Sequence, residues 1–139
     1  MTPGADTSQR QQSVIATWAQ AWTSHDKALL LEQYADDCVH EDLPMKMVSR
    51  GRKELSDFVD FVFTITDDFA IELKACLSSG DRGASEWVIT GTAVREIPGT
   101  FRAGQALRIR GASIFAFQDG RVHRQTDFWD SATATSQDR

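Results

Sequence analysis

The sequence predicts an α+β fold, in which three helices from the first half of the chain cover one face of a curved, mainly antiparallel sheet. Two observations carry this prediction. Apolar residues recur three and four positions apart through the first half of the chain, which is the helical period. From Phe69 onward they alternate with polar residues, and turns containing glycine or proline divide this region into strands.

Three segments carry the helical pattern. The first helix is predicted to begin at a capping box with Ser8 as its N-cap. Asp26 is predicted to cap a short second helix that runs through Tyr34, and a third helix extends from about Lys53 to Ile65. The residues that these helices are expected to bury are Val14, Ile15, Trp18, Ala21, Trp22, Leu29, Leu30, Leu55, Phe58, Val59 and Val62.

Strands are predicted on both sides of the third helix. A short strand at Cys38–Leu43 is followed by a loop that reaches Gly51. Later strands begin at Phe69 and cover about residues 84–96, 105–118 and 121–130. The first of these later strands places Ile71, Leu73, Ala75 and Leu77 on one face. All 139 residues form one predicted domain, with a core from about 8 to 131 and frayed ends at 1–7 and 131–139.

Composition narrows the classes of partner. A formal net charge of −5 and a pI near 5.1 argue against nucleic acid, which binds basic surfaces. No basic cluster or long apolar run indicates a membrane, and the first residues lack a signal-peptide pattern, so a cytoplasmic protein is expected. Cys38 and Cys76 match no zinc or redox motif and are expected to be reduced. The three histidines form no close-spaced cluster, so no metal site is predicted.

The last predicted strand carries one carboxylate, Asp127, among residues typical of a core, and the preceding turn decides which way it points. A two-residue turn places it opposite Ala112, on a face rich in arginine. A three-residue turn, residues 118–120, places it opposite Gly111, which would leave space in front of it. We prefer the second, because Asp119 then avoids a positive φ. The face so predicted comprises Leu107, Ile109, Ser113, Phe115, Phe117, His123, Gln125 and Trp129, with Trp87, Ile89 and Gly91 on the adjoining strand.

In that register Asp127 faces an apolar wall, and two interpretations are open. Burial disfavours a carboxylate's charged form, so the pKa of Asp127 is predicted to rise into the range of a general acid or base. Alternatively, Asp127 only accepts a hydrogen bond from a neighbour or faces solvent.

A second candidate group is formed by His40 and Asp42, which share one face of a strand while Glu41 takes the other. Two such side chains could present a base and an orienting partner to one ligand. The alternative is a solvated strand end, which the residue types alone favour.

The opposite face of the late strands mixes apolar and arginine side chains, a composition that suits a subunit interface better than open solvent. We therefore expect a homodimer through this face. Its residues are Arg108, Arg110, Ala112, Ile114, Arg124, Thr126 and Phe128.

Several short motifs, taken in order, resemble the SnoaL-like polyketide cyclases of the nuclear transport factor 2-like superfamily, which also holds ketosteroid isomerases and limonene epoxide hydrolases. The motifs are Tyr34-Ala35-Asp36-Asp37, His40-Glu41-Asp42, Gly51-Arg52, Gly111-Ala112-Ser113-Ile114-Phe115, Asp119-Gly120-Arg121-Val122 and Thr126-Asp127-Phe128-Trp129-Asp130. The resemblance covers about residues 10–131 and implies a cone-shaped α+β barrel with a deep apolar pocket, usually in a homodimer.

The better-known relatives match only in part. Asp42 stands where ketosteroid isomerases have their general base, but Trp18 and Ser113 replace the two donors of their oxyanion hole. Asp127 matches one aspartate of the limonene epoxide hydrolases. His40 and Asp42 fall where that family holds its water, while Trp87 and Ile89 stand where its arginine and second aspartate belong.

The resemblance to SnoaL-like cyclases implies an enzyme without a cofactor, in which one late-strand aspartate is the general acid and base for an aldol closure. Asp127 matches that residue, with His40 and Asp42 as further catalytic candidates. The expected substrate is an apolar, oxygenated small molecule. Epoxide hydrolysis and non-catalytic ligand binding remain alternatives, and the oxyanion donor could be Gln125, Ser113 or His40. Substrate contacts are predicted at Trp18, Phe58, Trp87, Ile89, Ser113, Phe115, Gln125 and Trp129.

Overall fold

Six strands form one curved sheet in the order β2-β1-β6-β5-β4-β3, with three helices packed against it. The computed structural model describes residues 3–134. The elements are α1 (Pro3–Thr23), α2 (Lys27–Glu32), β1 (Tyr34–Asp42), β2 (Met47–Arg50), α3 (Gly51–Ile65), β3 (Ala70–Ser79), β4 (Arg82–Thr92), β5 (Ala106–Gln118) and β6 (Arg121–Trp129). The predicted α+β architecture is confirmed. Within residues 3–134, no helix is both long enough and apolar enough to cross a membrane.

The pairing of β1 with β6 is parallel, whereas every other pairing in the described sheet is antiparallel. Residues from distant parts of the chain become neighbours here: His40 lies beside Gln125, and Asp42 lies beside Asp127. The two groups of polar side chains that the sequence indicates separately therefore meet on the concave face of the sheet.

The helices differ from the prediction mainly at their ends. The first helix begins at Pro3, so Ser8 is not an N-cap, and its hydroxyl lies instead 3.2 Å from the carbonyl oxygen of Ser78. The predicted cap of the second helix is confirmed, because Asp26 Oδ1 accepts a hydrogen bond from the backbone N–H of Leu29 at 3.0 Å. That helix ends at Glu32, before Tyr34, which begins β1.

Residues 3–7 are helical, so the prediction of a frayed start is wrong for them. At the other end, Ala134 is buried and its carbonyl oxygen accepts the backbone N–H of Arg108 at 3.2 Å. Residues 1–2 and 135–139, also predicted to be frayed, lie outside the described residues.

Two stretches of the sheet were not predictable from local pattern. The segment expected to be a loop before Gly51 contains β2, which pairs with β1 as a short hairpin. In β3 a bulge between Leu73 and Ala75 reverses the alternation, so Cys76 packs towards the core while Leu77 is 61% exposed. The prediction that Leu77 shares the inner face of Ile71 is therefore wrong.

The turn between β5 and β6 is also not the predicted one, although the face predicted for Asp127 is correct. Asp119 and Gly120 form a two-residue turn, and both have positive φ, 53° and 79°. A bulge in β6 then skips His123, because Ala116 pairs with Arg124 while Phe117 pairs with Val122. The extra residue restores the inward orientation of Asp127, which lies opposite Ser113 rather than Gly111.

Gly111 has a different role from the predicted one. A Cβ atom at this position would lie 2.4 Å from Cη2 of Trp87 and 2.7 Å from the carbonyl oxygen of Phe128. The missing side chain therefore makes room for the indole of Trp87, not for Asp127. The indole is buried and can reach Ser113 only by crossing this position.

Gly111→Ala should destabilise the fold, because neither the backbone oxygen nor the tightly packed indole can move away at low cost. We expect a loss of about 1–3 kcal/mol in the free energy of unfolding, measured by chemical denaturation. Gln118→Ala, at an exposed position on the same strand, should change it by less than about 0.5 kcal/mol. Equal stability of the two variants would contradict this account of Gly111.

Candidate active site

A cavity of about 90 Å³ lies between the helices and the concave face of the sheet. Its wall is apolar and rich in aromatic rings, and its polar groups come from β1 and β6. The lining residues are Trp18, Trp22, His40, Asp42, Met45, Phe58, Val62, Ile65, Thr66, Phe69, Ile71, Trp87, Ile89, Thr90, Phe101, Leu107, Ile109, Gln125, Asp127 and Trp129. None of these described residues is an arginine or a lysine, so His40 is the sole basic side chain among them.

Asp127 is held by side chains from three strands. Its Oδ2 lies 2.7 Å from Nε2 of His40 on β1. Its Oδ1 accepts one hydrogen bond from the hydroxyl of Ser113 on β5 at 2.6 Å and another from Nε2 of Gln125 on β6 at 2.7 Å. Both carboxylate oxygens of Asp127 are therefore held by hydrogen bonds, and these fix the orientation of its side chain.

Two of these donors are themselves held from behind. The indole N–H of Trp87 donates to the hydroxyl oxygen of Ser113 at 2.9 Å. The hydroxyl of Tyr34 donates to Oε1 of Gln125. Burial, followed by the charge of Asp127, raises the pKa of Tyr34 well above its ordinary value, so the hydroxyl keeps its proton and remains a donor. The resulting network of buried side chains fixes both the position of Asp127 and the orientation of the Gln125 amide.

The prediction that burial raises the pKa of Asp127 is wrong. Burial is the largest single influence and does act in that direction, but the charge of His40 and the hydrogen bonds from His40, Ser113 and Gln125 together outweigh it. The pKa of Asp127 therefore lies below its ordinary value. For His40, burial lowers the pKa, but the charge and hydrogen bond of Asp127 prevail and raise it. The two side chains are thus a buried carboxylate and imidazolium pair.

The pKa of Asp42 is shifted in the opposite direction, although this side chain lines the same cavity. It is 6% exposed, and it accepts the backbone N–H of Met45 at 3.0 Å and the indole N–H of Trp129 at 3.1 Å. Burial and the negative charge of Asp127 raise the pKa of Asp42 to about 6, because these two donors and the more distant charge of His40 compensate only in part. Asp42 is therefore the cavity carboxyl whose protonation changes near neutral pH.

The predicted site residues mostly come together. His40, Asp42 and Asp127 share the polar end of the cavity, so the alternative of a solvated strand end is wrong for His40 and Asp42, which are 2% and 6% exposed. Six of the residues predicted to contact substrate line the cavity: Trp18, Phe58, Trp87, Ile89, Gln125 and Trp129. Ser113 and Phe115 do not, because Ser113 lies behind Asp127 and Phe115 packs edge-on against Trp18 with ring centroids 5.4 Å apart.

Sequence reasoning missed several contributors, among them Tyr34, Met45 and Phe101. Tyr34 was assigned to a helix, although its hydroxyl supports Gln125 from the start of β1. Met45 and Phe101 lie in connections between strands and reach the cavity from there. Neither connection has a periodic pattern that could have indicated an inward orientation. In the described residues, no group of three or more His, Cys, Asp or Glu side chains is arranged to hold a metal ion.

Comparison with known proteins places this geometry in a family. A family model for SnoaL-like polyketide cyclases matches residues 12–138. The chain belongs to this family. Among proteins with curated descriptions, none matches the sequence.

Solved structures show the same fold at low sequence identity. A proposed SnoaL-like polyketide cyclase from Jannaschia sp. CCS1 is 16% identical over 99% of this chain and 96% of that chain, with a TM-score of 0.82. A proposed polyketide cyclase from Xanthomonas campestris is 21% identical over 94% and 98%, with a TM-score of 0.80. An epoxide hydrolase of the limonene type from M. tuberculosis is 14% identical over 94% and 89%, with a TM-score of 0.74. At these identities the likeness concerns the fold alone.

Asp42→Asn should be more stable than the wild-type protein by an amount that increases with pH. Between about pH 4 and pH 6 folded Asp42 holds a proton that the unfolded chain releases, so wild-type stability falls across this window, and the loss persists above it. A shift from 3.8 to about 6 corresponds to about 3 kcal/mol. The variant's advantage in free energy of unfolding should grow by up to this amount between about pH 4 and pH 7, as measured by denaturation at several pH values.

The matched control is Asp37→Asn, which removes an 80% exposed carboxylate from the same strand. Its 3.6 Å contact with the half-exposed His123 is open to solvent and contributes little to stability. Its difference from wild type should stay nearly constant over the same pH range. A constant difference for Asp42→Asn as well would mean that Asp42 does not titrate as described.

Proposed function

We propose that this protein is a cofactor-independent enzyme that transfers a proton to and from carbon in an apolar, carbonyl-containing substrate. The reaction would be an aldol-type cyclisation or a related isomerisation of a polyketide-like molecule. One observation carries the proposal: a buried carboxyl group, Asp42, with its pKa raised to about 6, faces an aromatic cavity beside the fixed pair of His40 and Asp127. Membership of the SnoaL-like polyketide cyclase family supports this class of reaction.

The proposed reaction uses Asp42 as the base. Its carboxylate removes a proton from a carbon beside a carbonyl group, and the electron pair of the broken C–H bond forms an enolate. In a cyclisation, the enolate carbon then attacks a second carbonyl carbon of the same molecule, and the resulting alkoxide takes the proton that Asp42 holds. In an isomerisation, the proton on Asp42 returns to a different carbon. Each path restores the carboxylate, so no external reagent is consumed.

Asp127 has a supporting role in this proposal, although the family resemblance assigns it the proton transfer. Its lowered pKa leaves it ionised and therefore a weak base near neutral pH. Its charge keeps His40 protonated and helps to raise the pKa of Asp42. The aromatic walls formed by Trp18, Trp87 and Trp129 would hold a flat substrate by stacking.

Water addition to an epoxide is the second candidate, and the fold of the M. tuberculosis epoxide hydrolase is the observation in its favour. The cavity argues against it, because Trp87 and Ile89 line the wall where that family's charged residues belong. A pure binding function is the third candidate, and the absence of any proton exchange would favour it.

Hydrogen exchange at carbon tests the proposal without knowledge of the natural substrate. We expect the protein to catalyse incorporation of deuterium from D₂O into 2-tetralone, a flat bicyclic ketone, as measured by mass spectrometry. The rate should rise about tenfold per pH unit below about pH 6 and level off above it, because Asp42 must be ionised. Asp42→Asn should lower it by about a hundredfold or more.

Asp37→Asn serves again as the control and should exchange like wild type, because its carboxylate is exposed and outside the cavity. If wild-type protein did not accelerate exchange, or if Asp42→Asn exchanged at the wild-type rate, the proposed role of Asp42 would be wrong.

We also propose that two chains associate through the convex face of β5 and β6. This face carries two apolar side chains with substantial exposure, Ile114 at 41% and Phe128 at 44%, beside the exposed Arg108, Arg110 and Arg124. An apolar centre with arginines around it suits a protein interface.

Sedimentation should therefore give the mass of a dimer at micromolar concentration. The double variant Ile114→Lys and Phe128→Lys should sediment as a monomer, because it adds positive charges to an interface that already contains arginines from both chains. Leu77→Lys, at a position on β3 that is 61% exposed, should remain a dimer. A monomeric wild-type protein would refute this interface.

A further inference from the structure

One ring nitrogen of His40, Nδ1, has no hydrogen-bond partner among the described residues. The ring is 2% exposed, lies against Phe58 with centroids 4.7 Å apart, and lines the cavity. Its Nε2 is bound to Asp127, but Nδ1 is buried and has no hydrogen-bond partner among the described residues. A buried polar atom without a partner is costly unless a ligand or water satisfies it.

The charge on the ring determines what Nδ1 can bind. Burial lowers the pKa of His40, but the charge and hydrogen bond of Asp127, with the charges of Asp42 and Glu41, outweigh it and raise the pKa. These carboxylates therefore favour the protonated ring, in which both nitrogens carry hydrogen and Nδ1 is a charged donor. Charged donors form hydrogen bonds about twice as strong as neutral ones, and they do so most effectively where water is excluded. An oxygen atom that gains negative charge during a reaction is the natural partner for such a donor.

Most of the other donors close to Asp127 and Asp42 already have partners. The hydroxyl of Ser113 donates to Asp127, and Ser113 does not line the cavity. Trp87 donates its indole N–H to Ser113, and Trp129 donates its own to Asp42. The amide of Gln125 accepts a hydrogen bond from Tyr34 and donates one of its two N–H groups to Asp127, so the N–H that is left is neutral.

Trp18 is the competitor most like His40, because its Nε1 is also buried in the cavity wall and lacks a hydrogen-bond partner among the described residues. Two differences make it the weaker candidate. Its indole is neutral, and it already lies close enough to the Tyr34 hydroxyl to lower the pKa of that group. An experiment can separate the two residues.

We infer that His40 binds the substrate's carbonyl oxygen through Nδ1–H, so that the molecules held at this site are flat, apolar carbonyl compounds and their enols. This inference rests on the proposed function, because it supplies the partner of Asp42 in the same reaction. As Asp42 removes the proton from carbon, the electron pair moves onto the oxygen, and Nδ1–H stabilises the enolate without giving up its proton. Gln125 and Ser113, the other two donors open from sequence, then serve to hold Asp127.

Binding of an enol analogue tests the inference without turnover. The probe is 2-naphthol, whose hydroxyl imitates the enol oxygen, and the matched probe is naphthalene, which lacks it. Wild-type protein should bind 2-naphthol about tenfold to a hundredfold more tightly than naphthalene, as measured by titration of intrinsic tryptophan fluorescence.

The decisive variant is His40→Gln, because the amide nitrogen of glutamine can replace Nε2 against Asp127 but offers nothing at the place of Nδ1. It should lose most of the preference for 2-naphthol while naphthalene affinity stays within about twofold. Trp18→Phe should retain at least half of the preference, and His123→Gln, a half-exposed histidine outside the cavity, should retain all of it.

The wild-type protein gives an independent measurement if His40→Gln does not fold. In ¹⁵N spectra, 2-naphthol should shift the Nδ1 signal of His40, and naphthalene should not. An unchanged Nδ1 signal, a preference that survives His40→Gln, or a preference lost only in Trp18→Phe would overturn the inference. Deuterium exchange into 2-tetralone is measured separately, so failure of proton transfer and failure of oxygen binding are distinguishable.

Discussion

The parallel pairing of β1 with β6 is the constraint on which the candidate site depends. It joins two segments about 85 positions apart in the chain and places Asp42 beside Asp127 and His40 beside Gln125. No local interaction could bring these groups together, because each strand contributes only part of the set. Side chains of β3, β4, β5, α1 and α3 then close an apolar wall around them, and electrostatic interactions inside this wall are stronger than they would be in water.

Two carboxyl groups in one cavity have opposite properties because their hydrogen-bond donors differ. Asp127 receives three side-chain donors, one of them charged, and these overcome the cost of burial. Asp42 receives one backbone and one indole donor, both neutral, and burial prevails. The ionised Asp127 also opposes ionisation of Asp42. Two side chains of the same type thus have different roles because their surroundings differ: Asp127 stays ionised, and Asp42 can gain and lose a proton near pH 6.

Much of the fold could be predicted from the sequence, since helical spacing identifies the inner faces of α1 and α3 and alternation identifies most of the strands. Features that depend on a residue distant in the chain could not be predicted in this way. β2 exists as a strand because β1 pairs with it, and the bulge in β3 reverses Leu77 without any local signal. The same reason explains the error at Asp127. Its environment was predicted as apolar, whereas donors from β1 and β5 reach it only after folding.

The bulge at His123 has a consequence for how this chain could have diverged. If His123 were paired with Ala116 instead of bulged, the two-residue turn at Asp119-Gly120 would place Asp127 opposite Ala112, on the convex face. Gln125 and Trp129 would turn outward with it. Loss of the codon for His123 would remove the bulge and leave Asp127 opposite Ser113, whereas one codon inserted after it, with the bulge kept, would turn all three side chains outward. Gain or loss of chemistry in such a lineage could therefore be recorded in the pairing of one strand rather than in the identity of its residues.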